Sequence, residues 1–158
     1  MTADAVIRLT RAHEALRAAE LLQAEGFHAD SVNRAHLSLE LAARAALSLH
    51  GVTSRTHTGI QALFYEHLAK PGLLPVSLAQ GLAAALRDRL ASDYEQPGRA
   101  ITSDRAARHI DQARAMIAAV EALLTPIAAP GRTRAAAPPT VFPRSRRRPR
   151  GRGGRWVG

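Results

Sequence analysis

Four residues in the octapeptide RDRLASDY, residues 87–94, could together handle a phosphate: Arg87, Arg89, Asp93 and Tyr94. A guanidinium is planar, always charged and donor-only, which suits a phosphodiester. Cutting RNA without a metal also needs a group to take the 2′-OH proton and a group to protonate the leaving oxygen. Imidazole suits both steps near neutral pH. Tyrosine, with a pKa near 10, is a weak base, and aspartate, near 3.9, is a weak acid. Read this way, the octapeptide holds an anion binder and no evident proton carrier. A plainer reading competes with it. Arg89 and Asp93 stand four apart and can pair across one helical turn, for about 0.3–0.5 kcal/mol if exposed. Tyr94 would then only close the helix.

Five helical segments and no strand are expected to position these residues. The fold class is all-α, an up-and-down bundle of about five helices followed by a disordered basic tail. The first helix spans about residues 3–25, with Ala5, Leu9, Ala12, Leu16 and Ala19 as its stripe and Gly26 as its end. The second starts after Asp30 as N-cap and runs to His50, along Val32, Ala35, Leu39, Ala42, Ala46 and Leu49. The third opens at RTHTG and ends at KPG, near Lys70, with Leu63, Phe64 and Leu68 as anchors. The fourth runs from Pro75 to Tyr94 along Leu78, Leu82, Leu86 and Leu90. Thr102 or Ser103 caps the fifth, whose stripe is Ala106, Ile110, Ala113, Ile117, Val120 and Leu124 before Pro126. Small alanines in every stripe favour close antiparallel packing. Sheet-forming residues are scarce, aromatics being 4% of the chain.

The histidines are read mainly as structural. His57 follows Thr56 at a helix start, with a threonine cap and Gly59 admitting another backbone; it gains a functional role if dimerisation brings it near Arg89 of either chain. His13 and His36 fall on or beside apolar stripes, as satisfied core histidines. No two histidines stand four apart and there is no H-E-x-x-H, so no metal site is expected. Nor are there phosphate-loop glycines, and no cofactor is expected. Cysteine is absent, which removes thiolate chemistry and suits a cytoplasmic protein.

Three blocks in order, VNRAHLSLELAARAALSLHG (32–51), SRTHTGIQALFYEHLAKPGLLP (54–75) and LRDRLASDY (86–94), resemble the prokaryotic HEPN domain, in particular a branch with T-H-x-G and R-x-x-x-D-Y signatures. The resemblance covers roughly residues 10–125. It implies a helical bundle that forms a homodimer and often works beside a minimal nucleotidyltransferase in toxin–antitoxin pairs. It further implies, for many members, metal-independent endoribonuclease activity through an Arg-x4-6-His motif on the fourth helix. Here His36 and Leu37 replace the usual paired tyrosines, and no histidine follows Arg87 or Arg89 at the motif's spacing. Arg8 with His13 and Arg44 with His50 match that spacing elsewhere, on the wrong helices and at the frequency chance allows. The expected role is therefore a catalytically silent partner of a nucleotidyltransferase. The alternatives are an endoribonuclease toxin with a site at Arg87, Arg89, Asp93 and Tyr94, or an RNA-binding adaptor.

The adaptor reading rests on the tail. The net charge of +9 comes from residues 131–158, which hold nine arginines and no acid, while the other residues carry thirteen basic and thirteen acidic side chains. The body, residues 1–127, is thus neutral, and residues 128–158 form a separate Arg/Pro/Gly-rich tail with little to bury. Arg146, Arg147, Arg148, Arg150 and Arg152, with Trp156 for stacking, could hold RNA by charge; an ordinary solvated tail explains them as well. The longest uncharged stretch of the body, PGLLPVSLAQGLAAAL, contains two prolines and two glycines and is too short and broken to span a bilayer. No membrane partner is expected.

Overall fold

The computed structural model describes residues 2–93 and 100–125. These form α1 (Ala3–Ala24), α2 (His28–Leu47), α3 (His57–Phe64), α4 (Val76–Asp93) and α5 (Ser103–Leu124), with a 3-10 turn at Ser48–His50 and a π-helical turn at Tyr65–Ala69 that prolongs α3. The expected all-α bundle of five helices is present. No helix among the described residues is long and apolar enough to cross a membrane. The expected tail with its arginines, the boundary near 127 and Tyr94 lie outside the described residues, as does the side chain of Asp93.

α2 is the hub, packing against α1, α3, α4 and α5. Its alanines let α1 approach closely: Ala35, Ala42 and Ala46 of α2 and Ala5, Ala12 and Ala19 of α1 are all fully buried. Two buried serines of α2 reach across that seam. Ser31 Oγ donates to the Ala19 carbonyl and Ser38 Oγ to the Ala12 carbonyl, each at 2.8 Å. A buried hydroxyl is costly unless bonded, so these two pairs fix both the spacing and the register of α1 on α2.

Two boundaries and two stripes differ from expectation. α2 starts at His28, two residues before Asp30, because the chain re-enters helix directly after the left-handed Gly26 (φ 83°), and Phe27 takes the cap position without a side-chain hydrogen bond. Asp30 lies in the first turn instead. α2 tightens into a 3-10 turn from Ser48 and closes at the left-handed Gly51, which leaves Leu49 exposed. Leu90 is also exposed, because the buried face of α4 passes through Ala85, Asp88 and Ala91 and turns Leu90 outward. The stripes of α1 and α5 are buried throughout, and Met116 and His109 join that of α5.

At the start of α3, Thr56 Oγ1 accepts the Gly59 N–H at 3.0 Å. A Cβ on Gly59 would collide with Ser54 Oγ and stand 2.7 Å from that capping oxygen. The T-H-x-G signature is thus a cap with no room for a third side chain, and it presents His57 as the first helical residue.

Candidate active site

Arg89 leaves α4 toward α2 and α3. Its Nη1 lies 3.4 Å from His36 Nδ1 and 3.4 Å from His57 Nε2. Arginine only donates, so both ring nitrogens facing it are acceptors, and each neutral ring carries its proton on the far side. On that far side sits Glu40. His57 Nδ1 donates to Glu40 Oε2, and His36 Nε2 lies 3.8 Å from the same oxygen. The other carboxylate oxygen, Oε1, accepts from Arg44 Nε at 3.0 Å and Nη2 at 2.8 Å. Arg44 in turn donates to the Ser54 carbonyl at 2.6 Å, which ties the carboxylate to the loop before α3.

Burial is graded across this group. His36 and Glu40 are 1% and 6% exposed, Arg89 is half-buried, and the His57 side chain is 46% exposed. The two imidazoles meet edge to face, with centroids 5.3 Å apart. A half-exposed His57 ring whose Nε2 lies beside a guanidinium and whose Nδ1 is held by a buried carboxylate has the arrangement that general-base chemistry needs. Beyond Arg89 opens a cleft of about 410 Å³ lined by Leu22, Asp30, Asn33, Arg34 and Leu37. Asn33 Oδ1 is buried with no hydrogen-bond partner.

The neighbouring residue, Asp88, faces the opposite way, toward α5. Its carboxylate accepts from Arg105 Nη2 at 2.5 Å and from His109 Nε2 at 2.8 Å. Asp88 and His109 are 8% and 5% exposed. This clasp fixes the rotation of α4, and with it the direction in which Arg89 points.

Of the residues expected to do chemistry, the structure brings Arg89 and His57 together within one chain. Arg87 is exposed and outside the group. His13 is not a core residue: it is exposed and bonds Glu121 at 2.7 Å. His36 is buried as expected but not satisfied, since its Nε2 has no hydrogen-bond partner. Arg44 belongs to Glu40 rather than to His50. Glu40 was missed altogether, although His36, Glu40 and Arg44 stand at i, i+4 and i+8, a polar line on an otherwise alanine-lined helix.

Burial pushes the His36 pKa down to about 4; Glu40 opposes the shift, while Arg89, His57 and His109 add to it. For Glu40, burial works against the charge, but the hydrogen bonds from His57 and Arg44 outweigh it and hold the carboxyl below its ordinary range. Both shifts act on stability in one direction. Unfolded His36 takes up a proton near pH 6.5, whereas the folded residue resists until about 4. Stability is therefore complete above pH 6.5 and falls through that window, by roughly 3 kcal/mol from this residue. Glu40 adds a further loss at lower pH. Urea unfolding between pH 7.5 and 4.5 should show this slope, and a His36→Gln variant should show a shallower one. Equal slopes would contradict it.

The comparisons with known proteins agree on kinship. The HEPN domain model matches residues 5–123. The UPF0332 protein glr0978 of Gloeobacter violaceus is 35% identical over 94 residues, spanning 60% of this chain and 75% of that protein.

Proposed function

The chain belongs to the HEPN domain family, and on that premise we propose that it is a cytoplasmic endoribonuclease whose proton carrier comes from α3 rather than from the helix that bears the arginine. The observation that carries the reading is Arg89 Nη1 at 3.4 Å from His57 Nε2, with Glu40 behind the ring. An RNA phosphate entering from the cleft draws Arg89 onto its oxygens and frees His57 Nε2. That nitrogen takes the 2′-OH proton, the 2′ oxygen bonds phosphorus, and the bond from phosphorus to the 5′ oxygen breaks. The proton returns from the imidazolium or from water to the leaving oxygen, and a 2′,3′-cyclic phosphate remains. Glu40 holds the tautomer and stabilises the imidazolium, while Arg89 takes up charge on the pentacoordinate phosphorus. The cleft has room for a nucleotide beside Arg89, with Leu22 and Leu37 as apolar wall and Asn33 as an unengaged hydrogen-bonding group.

Purified protein in EDTA is expected to cut RNA to fragments ending in cyclic phosphate, and Arg89→Ala to slow this by about 10²–10³-fold. Intact RNA with the wild type would overturn the proposal.

A second reading is that a protein partner covers part of this surface, either a second copy of the chain or a nucleotidyltransferase of a toxin–antitoxin pair. Leu21 and Phe27 beside the α1–α2 turn and Leu90 next to Arg89 are large apolar side chains, 67%, 58% and 44% exposed. Such exposure supports a covered face. Sedimentation at micromolar concentration tests the homodimer, and a monomer speaks against it. RNA binding through the tail arginines would appear as a steep salt dependence that vanishes when residues 131–158 are deleted.

A further inference from the structure

We propose that His36, Glu40 and His57 form a binding site for one divalent cation of the zinc type, and that the cation and Arg89 occupy the histidine pair in turn, never together. This goes beyond RNA cleavage and does not depend on it. One nitrogen of each histidine and one carboxylate oxygen all lie within 4.8 Å of one another. Two histidines and a carboxylate are a donor set that zinc accepts, with a fourth position left for water. The His57 side chain is 46% exposed, which brings the site within reach of solvent.

Two further features point to a ligand. His36 Nε2 is buried, has no hydrogen-bond partner and faces Glu40 Oε2 across 3.8 Å. Native interiors rarely leave such an atom unpaired. Glu40 is also prepared as a ligand from behind. Arg44 grips Oε1 through two nitrogens and is itself bonded to the Ser54 carbonyl, so Oε2 stays directed at both histidines. Metal-binding carboxylates are commonly oriented by such outer partners. His57, at the surface, needs only a small shift to let a cation between its ring and the carboxylate.

The exclusion of Arg89 follows from the tautomers. While Arg89 donates to His36 Nδ1 and His57 Nε2, the ring protons sit on His36 Nε2 and His57 Nδ1. Those are the two nitrogens a cation requires. Ligation leaves both rings neutral but moves each proton to the nitrogen facing Arg89. The guanidinium would then meet two N–H groups and a dication, and it must swing out. At 3.4 Å its present hydrogen bonds are long, so the hold is loose.

Chelator-treated full-length protein titrated with zinc chloride in a calorimeter tests both halves. Wild type is expected to bind one zinc at this site, His57→Ala to lose it, and Arg89→Ala to bind about tenfold more tightly because the competing occupant is gone. His57 is exposed, so its variant should fold, and circular dichroism checks that; Glu40→Gln is the second ligand variant. His50 and His67, whose rings lie 5.7 Å apart, are the rival site. Their double alanine variant should retain the zinc. Zinc binding unchanged in His57→Ala, or lost in the His50/His67 variant, would overturn the site. Equal or weaker binding in Arg89→Ala would overturn the exclusion.

Discussion

His57→Ala should lower the rate of RNA cleavage by about 10²–10⁴-fold while leaving the protein folded. The loss follows from position. Among the described residues, His57 is the imidazole next to Arg89 that solvent reaches, and its Nδ1 is already held by Glu40. His36 cannot replace it, because it is buried and its pKa is pushed down to about 4. The fold tolerates the change because half of the ring is in water and Glu40 keeps its paired contacts with Arg44. Single-turnover cleavage in EDTA, beside thermal melts of both proteins, measures the two effects separately. Free imidazole should restore part of the rate to the alanine variant, a response that a purely structural role would not give. A variant within twofold of wild type would rule out His57 as the base.

Asp88→Ala carries the largest expected effect on stability, about 3–5 kcal/mol. The substitution strips the acceptor from buried His109 and from Arg105, and leaves two donors facing a vacancy. Replacing both ends should be milder than replacing one, so Asp88→Leu with His109→Leu should recover much of the loss. Denaturant unfolding of wild type, single and double variants is the measurement. A single variant as stable as wild type would mean that packing alone sets the rotation of α4.

Much of this architecture could be read along the chain, because helices announce themselves locally. The alanine and leucine stripes of α1 and α5 repeat with the helical period, Thr102 caps α5 through its side chain, and Gly26 follows the end of α1. Boundaries failed where a competing local choice was equal on paper. Asp30 looks like a cap, yet its side-chain preference does not matter once the chain has already turned at Gly26. The site was half legible. Arg89 stands out by type, but the Arg-x4-6-His spacing points to a histidine five to seven residues onward, at the end of the same helix. The fold instead supplies imidazoles from 53 and 32 residues upstream, on α2 and α3. A linear spacing cannot encode that meeting, which depends on how three helices cross. Glu40 could have been found, since His36 and Glu40 share a helix face at four-residue spacing.

The polar line along α2 has a consequence for how this segment can drift. His36, Glu40 and Arg44 lie one turn apart, and Ser31 and Ser38 on the same helix are seated against particular carbonyls of α1. Substitutions between them change one contact at a time. An inserted or deleted residue turns everything after it by about 100° and moves it by about 1.5 Å. It would separate carboxylate from imidazole and lift the serines off their seats in a single event. Between residues 31 and 44 a changed letter therefore costs the contact that letter makes, whereas a changed length costs all of them together.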